Sequence, residues 1–263
     1  MASKTLQRTV LIICEGENTE PRYFDGLARK AQEIEDGNIT FTIKPKPRVD
    51  QGSNSRSVKH KSSRPPRILQ KEVEPLRREV EEEYRALPIA FVREAQLEME
   101  DVDYSEAWVV FDYDHRKEAI IKQAFDLAGQ GGRIINIAYS SVAFEHWYLL
   151  HYERNDTAFN KSECRIAKKP LHCNSMQHPQ DCNGTKCLGG YLRKNGFIEI
   201  STKGRDEFFP LLENKLDVAF FNSSWLRYKM EKERPGEMRY KLNPYVDVDL
   251  MVMSLLHRQI QYN

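Results

Sequence analysis

The chain has 263 residues, 40% of them hydrophobic, 10% aromatic and 30% charged, enough apolar material for a sizeable core, which excludes a wholly disordered or fibrous chain. Forty Lys and Arg against 39 Asp and Glu leave a formal charge of +1, so a nucleic-acid partner must be held by a local patch and not by the global field. No apolar run approaches the roughly 20 residues that span a bilayer, and the opening MASKTLQRTV lacks the apolar segment of a signal peptide. The expected setting is the cytoplasm, with no membrane partner.

Arg8 to Cys14 (RTVLIIC) is a short β-branched run of the kind buried on both faces of a parallel sheet, with Glu15-Gly16 turning behind it. Asn18 and Thr19 stand at the start of a helix with Pro21 in its first turn, and Phe24, Leu27, Ala28 and Ala31 form its apolar face. Ile39 to Lys44 alternates as a second strand. Lys44 to Arg67 then loses periodicity and carries eight Lys or Arg against one acid, Asp50, which predicts a basic loop over residues 44–68. Its functional reading is a phosphate-binding arm presenting Lys59, Lys61, Arg64 and Arg67. The alternatives are a solvated linker, or an arm docked on the acidic stretch Leu69 to Glu106, where twelve acids face five bases.

From Leu69 to Leu87 the positions Val73, Leu76, Val80 and Tyr84 predict a long amphipathic helix. Ala107 to Phe111 (AWVVF) is a second buried-type strand, stopped by Asp112-Tyr113-Asp114-His115. Helical spacing resumes over Lys117 to Ala128, Arg133 to Ala138 reads as a strand, and Ala143 to Tyr152 (AFEHWYLLHY) reads as a buried helix. This alternation predicts an α/β fold with a doubly wound, mainly parallel sheet. Asp206 to Phe221 and Val248 to Ile260 read as helices, and Arg227 to Lys241 as charged and poorly periodic. The expected division is an α/β core over 1–158, a Cys/His-rich insertion over 159–190 and a helical C-terminal part over 191–263 that packs on the core.

Cys164, Cys173, Cys182 and Cys187 crowd into the insertion with His172 and His178, among few apolar residues. In a reducing compartment that suggests a structural Zn²⁺ on the four cysteines with His178 as a reserve ligand; the alternative is reduced, unliganded thiols. Arg193 and Lys194 follow and either reach a phosphate or end a solvated helix.

In an open α/β sheet, ligands bind beyond the carboxyl ends of the strands, and two buried-type strands here end in acid: Glu15 on one, Asp112 and Asp114 on the other. Asp-x-Asp offers two hard oxygen ligands, and a third carboxylate from a neighbouring strand would complete a Mg²⁺ or Mn²⁺ site with room for phosphate. Acids at strand ends also serve as solvated helix caps, and Glu20, in a helical first turn, has that alternative too. Glu145 lies among apolar residues, where a carboxylate needs a partner such as Arg133, Arg154 or a metal. His151 reads as a packed core histidine.

Glu15-Gly16 after the first strand with Asp112-x-Asp114 after a later one resembles the Toprim catalytic pattern. More specifically, Cys14-Glu15-Gly16-x-x-Thr19-Glu20-x-x-Tyr23-Phe24, Phe111-Asp112-x-Asp114, Phe144-Glu145-x-Trp147-x-Leu149-Leu150-His151 and Asn243-Pro244 together resemble the RloB family. The family pattern has Asn-Pro before Phe-Glu, whereas this chain has Ser141-Val142-Ala143, and the cysteine segment also departs from it. The resemblance implies a Toprim-like fold and a nuclease of bacterial anti-phage defence, acting on RNA such as tRNA or on DNA beside an AAA-type ATPase, with homo-oligomers possible. It implies Glu15 as general acid or base, Asp112 and Asp114 as metal ligands, and Glu20 and Glu145 in supporting roles. The rival readings are a non-catalytic nucleic-acid-binding or regulatory subunit of an ATPase complex, and a phosphotransferase or phosphatase.

Overall fold

A computed structural model of the chain describes residues 7–45, 88–113, 116–162, 165–166, 169–170, 187–197 and 208–257. In chain order these form β1 (Arg8–Cys14), α1 (Thr19–Ile34), β2 (Ile39–Lys44), α2 (Pro88–Asp101), β3 (Glu106–Asp112), α3 (Glu118–Ala128), β4 (Asn136–Ser141) and α4 (Glu145–Leu150). The short strands β5 (Arg165–Ile166) and β6 (Lys169–Pro170) make a separate antiparallel pair. Then come α5 (Leu188–Lys194), α6 (Phe208–Glu213), α7 (Leu216–Glu233), β7 (Tyr245–Val246) and α8 (Val248–Leu255).

The main sheet has five strands in the order β2-β1-β3-β4-β7. All neighbours are parallel except β7, which pairs antiparallel with β4 through Ser140↔Val246 and Ser141↔Tyr245. The apolar run of β1 explains its central place, since both of its faces are covered. Val10, Ile12 and Cys14 join α1, α4, α6, α7 and α8 in one core cluster, while Leu11 and Ile13 join α2 and α3 in the other. The sheet therefore grows in both directions from β1, and the winding reverses between β1 and β3.

Several elements depart from the sequence reading. The strand expected at Arg133–Ala138 lies at Asn136–Ser141, because Ile134 is 72% exposed while Ser140 and Ser141 are buried where β4 enters the interior. The helix expected over Asp206–Phe221 divides within its described part, at Asn214-Lys215, into α6 and α7, and α7 runs on to Glu233 through the stretch read as poorly periodic. α2 begins at Pro88, a residue that suits a helical first turn. The helix expected at Leu69–Leu87 lies outside the described residues, as does the basic loop beyond Pro45. Among the described residues, no helix is long and apolar enough to cross a membrane.

Candidate functional site

The reversal point of the sheet brings the Glu15 side chain against the backbone of Asp112. The Glu15 N–H donates to the Val110 carbonyl at 2.9 Å, so the chain leaving β1 stays in register with β3. One residue beyond that strand's buried run, the Asp112 N–H donates to Glu15 Oε2 at 3.1 Å. The Tyr113 N–H then reaches the Ser140 carbonyl of β4 at 2.9 Å, and the Arg116 N–H closes a turn on the Tyr113 carbonyl at 2.8 Å. That turn lays the Arg116 guanidinium against Glu15 Oε1 as an ion pair, with both side chains 16% exposed. Burial lowers the Arg116 pKa, yet a guanidinium keeps its charge at neutral pH.

Two further acids stand beside this pair. Glu20, in the first turn of α1, is buried, and its carboxylate fills the space a Cβ on Gly16 would occupy. Glu145 opens α4, and three residues on Tyr148 is fully buried with a hydroxyl that makes no hydrogen bond among the described residues. The Tyr148 phenol is held well above its ordinary pKa first by burial and then by the charges of Glu20, Glu145 and Asp112, with a further contribution from Tyr23. Its proton is therefore fixed at neutral pH.

Tyr148 and Arg116 were not among the residues singled out from sequence. Tyr148 sits in the apolar run AFEHWYLLHY and reads as core, whereas Arg116 had a weak signal, a lone cation four residues after Asp112. His151 matches its expected role: it is 1% exposed, its Nδ1 pairs with the Trp147 carbonyl at 2.9 Å, and burial pushes its pKa down to about 3. The cations considered as Glu145 partners are engaged elsewhere, Arg133 with Asp103 and the Met99 and Tyr104 carbonyls, Arg154 over the Phe221 ring.

The donor set at the sheet edge is all carboxylate oxygen, which suits a hard divalent cation. Among the described residues, however, no group of three or more His, Cys, Asp and Glu is close enough to hold a metal, and Asp114 lies outside them. Cys164, Cys173, Cys182 and His178 also lie outside. Cys187 is described: it is buried and its Sγ accepts the Gly190 N–H at 3.3 Å at the start of α5. Lys59, Lys61, Arg64 and Arg67 lie outside the described residues, and Lys194 is exposed at the end of α5. Lys44, the first cation of the basic stretch, ends β2 and pairs with Glu98 at 2.5 Å and Glu94 at 3.7 Å on α2.

No curated protein and no solved structure matches this chain. The family model of RloB-like proteins matches residues 10–255, nearly the whole length, and the chain belongs to that family.

Proposed function

We propose that this protein is a Toprim-like nuclease that hydrolyses phosphodiester bonds of nucleic acid, tRNA or DNA, in a bacterial anti-phage defence system with an AAA-type ATPase partner. The observation that carries the reading is the Glu15 carboxylate accepting the Asp112 N–H at the carboxyl ends of β1 and β3, where the winding of the sheet reverses. Asp112 with Asp114 would hold Mg²⁺ or Mn²⁺, which when bound supplies charge neutralisation at the phosphoryl oxygens. Glu15, ion-paired with Arg116, would accept or return a proton at its carboxylate. Arg116 also offers a cation to an incoming phosphate. Tyr148 holds its proton at neutral pH and so does not act as a base.

Asp112→Asn keeps the shape and removes one anionic ligand. Cleavage of tRNA or DNA with Mg²⁺ or Mn²⁺, assayed with the ATPase where one is encoded nearby, should fall by about a hundredfold or more, with binding retained. An Asp112→Asn variant as active as the parent would overturn the reading. The Arg116–Glu15 ion pair favours a second reading, a non-catalytic nucleic-acid-binding subunit, and a parent protein that binds but never cuts would select it.

A structural Zn²⁺ on Cys164, Cys173, Cys182 and Cys187 belongs to the same proposal, because a segment with so little apolar content gains its order from a metal. Protein purified without chelators should then carry close to one equivalent of zinc by elemental analysis. Metal-free protein would remove this part.

A further inference from the structure

We propose that the outer face of α7 binds the unstacked bases of single-stranded nucleic acid. This takes from the proposed function only that nucleic acid is the ligand, and it does not depend on catalysis. The inner face of α7 is spent on the core through Ala219, Phe220, Asn222, Ser223, Leu226 and Met230. Phe221, Trp225 and Tyr228 follow at i, i+4 and i+7 in one line about 10 Å long, the outer two exposed and Trp225 half-buried at the edge of the core. Phe221 is 53% and Tyr228 60% exposed.

Cations lie on these rings. The Arg154 guanidinium is 4.4 Å from the Phe221 centroid and 5.8 Å from that of Trp225; Lys232 is 4.6 Å from Tyr228 and Lys229 is 5.7 Å from Trp225. Lys229 is also paired with Asp156 and Glu233. Arg154 and Lys232 form no ion pair among the described residues, so their charge rests on ring faces and stays available to an anion. A ligand complementary to both features carries flat π faces at a spacing of about 5–6 Å and a negative charge per unit, which is the chemistry of an extended nucleotide strand. Interface cores between proteins are depleted in charge, whereas here every ring has a cation beside it.

The face is tied to the candidate site. Phe220 stacks on Trp147 with centroids 6.2 Å apart, and Asn222 Nδ2 donates to the Leu150 carbonyl at 2.8 Å, fixing α7 to the helix that begins at Glu145. A strand lying along α7 is thus one helix away from the acids.

Tryptophan fluorescence reads this directly, because the chain has three tryptophans and two of them, Trp108 and Trp147, are buried. The probe is a single-stranded oligouridylate of about twelve nucleotides, titrated in EDTA so that no cleavage occurs, with an abasic strand of equal length as control. Base stacking should quench Trp225, and Phe221→Ala and Tyr228→Ala should each weaken binding by roughly 5- to 100-fold without moving the thermal midpoint. Trp225→Phe should abolish the quenching and, with a smaller ring left in the row, bind more weakly by no more than a few-fold. Equal affinity for the abasic strand, unchanged binding in the alanine variants, or a dimer that these substitutions dissolve would overturn the proposal, the last by assigning the face to a second copy. Failure of the nuclease reading looks different: the Asp112→Asn cleavage result would change while oligouridylate binding stayed intact.

Discussion

At the scale of single residues, the candidate site is built by close approach. Gly16 follows Glu15, and its missing side chain is what lets the Glu20 carboxylate settle over the turn. Ala at this position would collide with the carboxylate end of a flexible side chain, so the chain can yield by moving Glu20 alone. Gly16→Ala should therefore cost less than about 1 kcal/mol in a urea melt while lowering cleavage by about tenfold or more, because it displaces the Glu20 carboxylate from its seat over the turn after β1. In a Glu20→Ala background the same substitution should add nothing further. An additive loss there would show that Gly16 acts through something other than Glu20. Glu15 and Asp112 were legible in the sequence because each ends a strand whose burial its own residues announce. Tyr148 was not, since only tertiary packing decides that its ring, in an apolar run, is buried where the charges of Glu20, Glu145 and Asp112 act on it.

At the scale of elements, legibility followed how much of each element's pattern is local. β1, β2 and α3 lie within a residue or two of the expected ends and α1 starts where expected, although β2 buries only Ile39 and does not alternate. α7 is apolar on one face for the core and aromatic on the other, so no single stripe marked its second half. β7 has only two residues, and its strand character comes wholly from pairing with β4. Helix seams are equally tertiary. Gly26 on α1 faces α6, where an added Cβ would lie 2.5 Å from Phe209 Cβ. Gly26→Ala gains helix propensity but overpacks that seam, and the net loss should be about 1–2 kcal/mol. Gly129, at the end of α3 with negative φ and no atom nearer than 3.8 Å to its added Cβ, should accept Ala with little change. Urea midpoints of the two variants that coincide would remove the α1–α6 seam as a rigid contact.

At the scale of the whole molecule, the first and last strands of the described residues, β1 and β7, lie in one sheet. Arg8 on β1 contacts Glu35 at 3.1 Å, Glu106 at 2.6 Å and the Ser254 carbonyl at 3.3 Å, and Arg227 makes a bidentate pair with the buried Asp249 at 2.5 and 2.7 Å. Asp247 accepts the Tyr139 N–H at 2.5 Å and pairs with Arg239 at 2.5 Å. Such buried polar groups make stability depend on pH in opposite senses. His151 is buried and neutral, with its pKa pushed down by burial to about 3 from an unfolded value near 6.5. Its contribution is present above pH 6.5 and is lost as the pH falls toward 3, because the unfolded chain binds the proton first. Asp247 is raised by burial to about 6, although Arg239 and the Tyr139 amide oppose the shift, so its contribution is present below about pH 4 and is lost as the pH rises through 6. His151→Gln keeps a donor for the Trp147 carbonyl and removes the titration. Its stability deficit against the parent should shrink by about 3 kcal/mol between pH 7 and pH 4. Asp247→Asn should show the reverse, a deficit that grows by about 2–3 kcal/mol as the pH falls from 7 to 4, since the parent alone gains from protonation. Denaturant melts at the two pH values measure both differences, and deficits independent of pH would mean that neither group is held in its burial-favoured form.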